Sequence, residues 1–113
     1  MSFGMDGEES IRVWFQVNAY CCIVLPDAQS YGGTYSLHRI DTVTTIDNAG
    51  LRLTMDGGRL ALEFSGLVKI RHDDKDLVLG PFTKVTLTGL TPRGKTVRTF
   101  LAGEVRFRPI QVY

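Results

Sequence analysis

The 113-residue chain has few of the residues that carry catalytic or metal chemistry: two histidines, two cysteines and one tryptophan. The cysteines are neighbours, Cys21 and Cys22. Neighbouring side chains of a strand point to opposite faces, so a disulfide between them is sterically awkward. Two thiols without a disulfide framework indicate a reducing compartment, and we expect a cytoplasmic protein. His38 and His72 are far apart in the sequence, and we expect neither a metal nor a cofactor.

A long hydrophobic run is also missing. No apolar stretch approaches the roughly 18 residues of a membrane span. The first ten residues, MSFGMDGEES, contain neither the basic nor the apolar region of a signal peptide. We therefore expect no membrane association. We interpret residues 1–9 as a flexible acidic tail and residues 10–113 as one domain.

The net charge is only +1, but the charges are unevenly distributed. Residues 1–50 contain six acids and two bases, whereas residues 80–113 contain six bases and one acid, Glu104. Arg98, Arg106 and Arg108 are therefore candidates for an anion-binding stripe. Few aromatic residues accompany them, which favours a solvated sheet face over a nucleic-acid interface.

The strongest periodic signal is IRVWFQVNAYCCIVL, residues 11–25. Every second residue from Ile11 to Leu25 is apolar, and a period of two predicts a strand with one buried face. A strand of this length exceeds the usual 17–20 Å, so we expect it to bend or to contain a bulge. The β-branched and aromatic content argues against a helix.

The rest of the chain alternates short apolar runs with turn sequences such as DNAG, DGG and DDKD. The clearest hairpin is LTMDGGRLALEF, in which Asp56-Gly57-Gly58 supplies positive φ angles between two alternating runs. We predict an all-β fold, a single compact antiparallel β-barrel or β-sandwich of about eight to ten short strands in mostly meander order. Further strands are predicted at 33–39, 42–47, 51–55, 59–65, 67–72, 76–79, 83–88, 95–101 and 104–112.

Residues 89–96, GLTPRGKT, match the phosphate-loop pattern G-x-x-x-x-G-K-T. A phosphate loop follows a buried parallel strand and opens a helix. Here the preceding chain reads as a β meander and the following TVRTFLAGE is rich in β-branched residues. We therefore predict a hairpin connection and no nucleotide binding.

The outward side of the predicted long strand is unusual, because it carries aromatic and amide residues in place of charges. The residues concerned are Trp14, Gln16, Asn18, Tyr20 and Cys22. Such a face suits a ligand cavity, a partner or subunit interface, or coverage by a second sheet. The sequence leaves these three alternatives open.

No nucleophile motif and no placed pair of acid–base carboxylates points to catalysis, so no catalytic residue is assigned. We predict a non-enzymatic binding module that uses the Trp14-Gln16-Asn18-Tyr20 face for a small ligand or a protein partner. The alternative is a self-associating structural β protein, a homo-oligomer built through the same strand. An enzyme of unknown reaction is the third alternative.

Overall fold

The computed structural model describes residues 4–33, 36–46, 50–67 and 69–110, and for residues 4–6 the backbone alone. These residues form one helix, one short 3-10 turn at Asp56–Gly58 and nine strands. Their bounds are α1 (Gly4–Val17), β1 (Cys21–Val24), β2 (Ile40–Ile46), β3 (Gly50–Met55), β4 (Leu60–Ser65), β5 (Ile70–Asp73), β6 (Asp76–Leu79), β7 (Lys84–Thr91), β8 (Gly94–Phe100) and β9 (Val105–Pro109).

The strands form two antiparallel sheets, with the orders β1-β9-β6-β5 and β2-β3-β4-β7-β8. Consecutive hairpins make three of the four pairings of the five-stranded sheet, whereas in the four-stranded sheet only β5 and β6 form one and β9 enters between β1 and β6. The predicted all-β fold is confirmed, and the two separate sheets make it a sandwich. Buried side chains of both sheets and of α1 form one hydrophobic cluster between the layers.

The predicted hairpin at residues 51–64 is confirmed in register. Leu51 pairs with Phe64 and Leu53 with Leu62, and all four side chains are buried. The turn at Asp56–Gly58 has φ angles of 58°, 69° and 86°. These left-handed values suit Asp and Gly, because an Asp side chain bonds its local backbone and Gly has no Cβ. Alternation and turn chemistry therefore determine this part of the five-stranded sheet.

The long strand predicted over residues 11–25 is wrong. Residues 11–17 belong to α1, and only Cys21–Val24 form a strand, β1. Ile11, Trp14 and Phe15 are buried, which is the i, i+3, i+4 spacing of one helix side. An ion pair one helical turn apart, between Arg12 Nη2 and Glu8 Oε1 at 2.8 Å, supports the helix.

The apparent alternation has a specific cause. Val13 and Val17 complete a period of two with Ile11 and Phe15, but in the helix they point to solvent. The helix ends at Val17, and the backbone N–H and side-chain Nδ2 of the next residue, Asn18, both donate to the Trp14 carbonyl at 2.9 Å. Asn is a common residue at a helix C-terminus because it tolerates the backbone conformations found there.

Two further predictions concern the segments beside β1. The predicted boundary between the tail and the domain at residue 10 falls inside α1, which begins at Gly4. Of the strand predicted at 33–39, residues 34 and 35 lie outside the described part. Among the others, His38 alone pairs, as an isolated bridge to Cys21.

The string GLTPRGKT forms the end of β7, a two-residue turn and the start of β8. Thr91 pairs with Gly94 and Gly89 with Thr96, so Pro92 and Arg93 occupy the turn. Thr91 Oγ1 accepts a hydrogen bond from the Arg93 backbone N–H at 3.2 Å and donates to the Gly94 carbonyl at 3.1 Å. The predicted hairpin is confirmed, since the residues after Gly94 are a strand and not a helix.

This hairpin predicts opposite sensitivities for two neighbouring residues. Gly94 has a φ of 125°, so Gly94→Ala should lower the free energy of unfolding by about 1–3 kcal/mol through backbone strain. Lys95 is exposed, so Lys95→Ala should change it by less than about 0.5 kcal/mol. Thermal melts with and without Mg-ATP provide the check. A rise of several degrees with Mg-ATP that Lys95→Ala abolishes would contradict the account.

Candidate binding surface on helix α1

Trp14 anchors α1 to the four-stranded sheet. Its ring meets Phe15 edge-on, with centroids 5.0 Å apart, and Phe15 meets Phe107 of β9 in the same way at 5.4 Å. The indole Nε1–H donates to the Lys75 carbonyl in the β5–β6 turn at 3.2 Å. Since only 6% of Trp14 is exposed, the residue belongs mainly to the core, with one edge at the surface.

That edge lies at a surface depression of about 480 Å³, which we call the α1 hollow. Its lining is almost entirely apolar, and Glu9 and His72 contribute charged or titratable groups. Val13 and Val17 lie one helical turn apart in this lining and are 46% and 77% exposed. The hollow is lined by Glu9, Ser10, Val13, Trp14, Val17, Asn18 and His72.

A second depression, of about 420 Å³, lies on the other side of α1, between the helix and the edge strand β2. Gln16 lines it together with Arg12, Phe15 and residues 40–44. Arg12 Nη2 donates to the Val43 carbonyl at 2.9 Å, so the helix covers part of the β2 edge. Gln16 therefore faces a different depression from Trp14 and Asn18.

The five residues predicted to share one strand face are distributed over four places. Trp14 and Asn18 share the α1 hollow, and Gln16 lines the cleft beside β2. Tyr20 is half-buried in the connection after the helix, where its carbonyl accepts the Ile110 N–H at 3.0 Å. Cys22 is buried on β1. These five residues would share a face only if they alternated along one strand. Because residues 11–17 are helical, that alternation is absent.

The three arginines predicted to bind an anion do not converge. Arg98 lies on the five-stranded sheet, 5.0 Å from the centre of the Phe100 ring, and pairs with Asp27 at 3.0 Å. Arg106 and Arg108 lie on β9 of the other sheet. Each of the three has an acidic partner within the described residues, so anion binding by any of them stays a prediction without a shared site.

Arg106 is the most strongly paired of the three. Its Nη1 donates to Asp76 and its Nη2 to Asp73, both at 2.9 Å, and these hydrogen bonds raise the pKa of Arg106. Arg108 Nε lies 3.5 Å from the same Asp76. The positive charges of Arg106 and Arg108 are thus neutralised by the acidic β5–β6 turn.

His38 forms a buried cluster that sequence analysis does not reveal. Its Nδ1 lies 2.6 Å from Asp56 Oδ2, and its Nε2 lies 3.1 Å from the Tyr31 carbonyl. Asp56 Oδ1 accepts the Arg39 N–H at 2.9 Å. The cluster therefore ties the loop before β2 to the turn after β3. Asp56 and His38 are 18 positions apart, and only the pairing of β2 with β3 brings them together.

Cys21 bridges to His38 in the backbone, which gives the cluster a cysteine, a histidine and a carboxylate. Desolvation, followed by the charges of Asp56 and Cys22, raises the pKa of the Cys21 thiol from 9.0 to about 12. The thiol therefore stays protonated near neutral pH and is a poor nucleophile. Both ring nitrogens of His38 already face acceptors, so this geometry supports a structural role.

The other buried polar side-chain atoms of the described residues also have hydrogen-bond partners within the fold. No buried side-chain nitrogen or oxygen in the described ranges lacks a hydrogen-bond partner. Within the same ranges, no three His, Cys, Asp or Glu side chains lie close enough to hold a metal ion. The one helix of the described chain has neither the length nor the apolar character that a bilayer crossing requires.

Fold and surface together define a small β-sandwich with a helix docked between its sheets. Comparison of the chain with protein-family models, curated proteins and solved structures finds no match in any of the three. The function of the protein is therefore inferred from the geometry of this chain alone.

The His38 cluster predicts different costs for two substitutions of Asp56. Asp56→Ala strains a residue with a φ of 58° and leaves buried His38 Nδ1 without a partner, so it should lower the free energy of unfolding by about 2–4 kcal/mol. Asp56→Asn tolerates the same φ and keeps an amide oxygen and an amide nitrogen near His38 Nδ1 and the Arg39 N–H, so it should cost about 1 kcal/mol. Urea unfolding measures both.

Asp74 provides the matched control. It has the same φ of 58°, is exposed and forms no hydrogen bond or ion pair in the described structure. Asp74→Ala therefore measures the backbone strain alone, at about 1 kcal/mol. Equal losses in Asp56→Ala and Asp74→Ala would show that the contacts to His38 and Arg39 contribute nothing.

Proposed function

We propose that this protein is a non-enzymatic binding module that takes up a peptide segment of a partner protein in the α1 hollow. The observation that carries the proposal is the exposure of Val13 and Val17 side by side, above an edge of the only tryptophan. Grouped apolar side chains at a concave surface are typical of interaction sites, whereas single exposed ones are common everywhere.

Anchoring by an apolar side chain fits the lining of the hollow. Complete burial of one valine is worth about 1.5–3 kcal/mol. Since Val13 and Val17 are 46% and 77% exposed, covering both contributes roughly 2–4 kcal/mol before the cost of association is subtracted. The rigid Trp14 edge at the base supplies aromatic contact area without an entropy cost, because its core packing and its bond to Lys75 already hold the ring.

Charge on the rim selects the partner. Glu9 lines the hollow, and the first basic residue of α1 is Arg12. Arg12 pairs with Glu8, whereas Glu9 has no ion-pair partner among the described residues. A lysine or arginine next to the apolar anchor would pair with Glu9. The expected partner is therefore a peptide segment with an apolar side chain flanked by basic residues.

The described interior supports binding over catalysis. The Cys21 thiol is protonated and buried, and His38 uses both ring nitrogens in contacts within the fold. Neither group reaches the α1 hollow or the cleft beside β2, according to the residues that line them. Most of the hollow's surface is apolar, which suits recognition. It also contains the Ser10 hydroxyl and the His72 imidazole, but no side-chain hydrogen bond among the described residues joins either of them to a base or a carboxylate that would activate it.

Trp14 allows a direct test, because the only tryptophan of the chain borders the proposed site. We expect a peptide with a central leucine flanked by lysines to change the tryptophan emission in a saturable manner. The same peptide with glutamates in place of the lysines should bind about tenfold more weakly, equivalent to about 1.4 kcal/mol.

Val17→Asp should abolish this binding with little effect on the free energy of unfolding, because Val17 is largely exposed. Val97→Asp replaces an exposed valine on β8, away from the hollow, and should bind the peptide like the wild type. No emission change with either peptide, or equal binding by Val17→Asp and the wild type, would refute the proposal.

A further inference from the structure

A second group of exposed large hydrophobic side chains lies on and next to the β7–β8 hairpin. Leu90, Val97 and Leu101 are 52%, 56% and 74% exposed. All residues of β8 before Phe100 are exposed, although the strand pairs with β7 along its whole length. An exposed strand with apolar side chains can pair with another strand.

β8 is the last strand of its sheet, so one of its two edges has no strand neighbour among the described residues. Two of the other sheet edges are covered in the described structure. Arg12 from α1 bonds the Val43 carbonyl of β2, and Tyr31 and His38 cover β1 through the backbone bonds Tyr31 N–H to Ile23 O and His38 N–H to Cys21 O. β5 is a third edge, but it has only four residues. β8 is the longest edge left uncovered.

The register of the hairpin tells which backbone groups face outward. Residues of an antiparallel pair alternate between hydrogen-bonded and non-hydrogen-bonded positions. Thr91 and Gly94 flank a two-residue turn and form the first hydrogen-bonded pair, so Thr96 and Arg98 also bond to β7. Lys95, Val97 and Thr99 consequently direct their backbone N–H and C=O groups away from the sheet.

We propose that two copies of this chain associate by antiparallel pairing of β8 with β8, on a two-fold axis at Val97. The two five-stranded sheets then form one continuous ten-stranded sheet. Val97 is the midpoint of Gly94–Phe100, so this register pairs all seven residues of the strand. A two-fold dimer uses the same patch on both copies, as this arrangement does.

Side-chain charges favour the same register. With the axis at Val97, the two valines face each other, Lys95 faces Thr99 of the second copy, and Arg98 faces Thr96. Pairs of β-branched residues stabilise a sheet, and like charges directly opposite destabilise it. An axis at Lys95 or at Arg98 would place two like charges opposite each other. These positive side chains therefore disfavour those two shifted registers and permit the central one.

Contacts of the Arg98 side chain already hold β8 in place before any second copy binds. Arg98 bonds Asp27 at 3.0 Å, beyond β1 of the other sheet, and stacks on Phe100. These contacts reduce the conformational entropy that the strand would lose on association. One strand pair buries less surface than a standard interface, so the dimer should dissociate on dilution. The dimer is independent of the function proposed for the α1 hollow.

Cross-linking tests the register directly. Hydrogen-bonded residues opposite each other in an antiparallel pair have Cα atoms about 5.5 Å apart, within the range of a disulfide. Val97→Cys should therefore form a disulfide-linked dimer under mild oxidation, while the native Cys21 and Cys22 remain buried. Lys95→Cys is the control, because its new thiol would face Thr99 of the second copy and should form no disulfide-linked dimer.

Sedimentation equilibrium tests the association without a cross-link. The wild type should show twice the mass of one chain at high concentration and the monomer mass on dilution. Val97→Lys should lose the dimer, since two ammonium groups would meet on the axis. Thr44→Lys adds the same charge on β2 at the opposite edge and should keep it. A wild type that stays monomeric throughout, or equal cross-linking of Lys95→Cys and Val97→Cys, would overturn the proposal.

Discussion

Phe15 of α1 packs edge-on against Phe107 of one sheet, while Arg12, three positions earlier on the same helix, donates to the Val43 carbonyl of the other. A single helix thus connects the two layers of the sandwich. Together with buried Ile11 and Trp14, Phe15 places one side of the helix in the hydrophobic cluster that both sheets share. The positions of the sheets and the surface features beside them follow from this insertion.

The exposed apolar regions of the molecule are those that the helix and the loop bonds to the sheet edges leave uncovered. The helix buries positions 11, 14 and 15, and the same geometry leaves Val13 and Val17 outside as the wall of the α1 hollow. Elsewhere, Tyr31 and His38 bond to the edge of β1, and the Arg98–Asp27 pair joins the layers. Neither the helix nor the backbone bonds to β1 cover the edge of β8. The two proposed interaction surfaces are therefore the two apolar regions left exposed by the closure of the core.

The strands with clear turn chemistry could be predicted from the sequence. Leu51, Leu53, Leu62 and Phe64 alternate on both sides of Asp56–Gly58, and the turn determines their pairing. Turn chemistry likewise predicted that GLTPRGKT forms a hairpin, which the pairing of β7 with β8 confirms. In both cases the information is local, because a two- or three-residue turn fixes the register of the strands on either side.

The helix and the site could not be predicted with the same certainty. Val13 and Val17 gave residues 11–17 a false period of two, and the correct signals were the Glu8–Arg12 spacing and the residues at 11, 14 and 15. Consequently Trp14 and Asn18 were identified as notable residues, but Gln16, Tyr20 and Cys22 were placed on the same face in error.

The His38–Asp56 contact had no local signal at all. It joins residues 18 positions apart through the register of β2 on β3, so it becomes visible only when that pairing is known. Local sequence patterns report periodicity and turns, whereas a side-chain cluster of this kind depends on tertiary pairing. The arginines of β8 and β9 illustrate the same limit, because their acidic partners Asp27, Asp73 and Asp76 come from other elements.

Backbone NMR of residues 4–25 tests the central claim, the inserted helix, most directly. The account predicts downfield Cα shifts over residues 4–17, Hα(i)–HN(i+3) contacts within that range, and contacts between the rings of Phe15 and Phe107. Upfield Cα shifts and cross-strand Hα contacts running continuously from Ile11 to Leu25 would contradict it. That result would restore the single long strand and with it the common face of Trp14, Gln16, Asn18 and Tyr20.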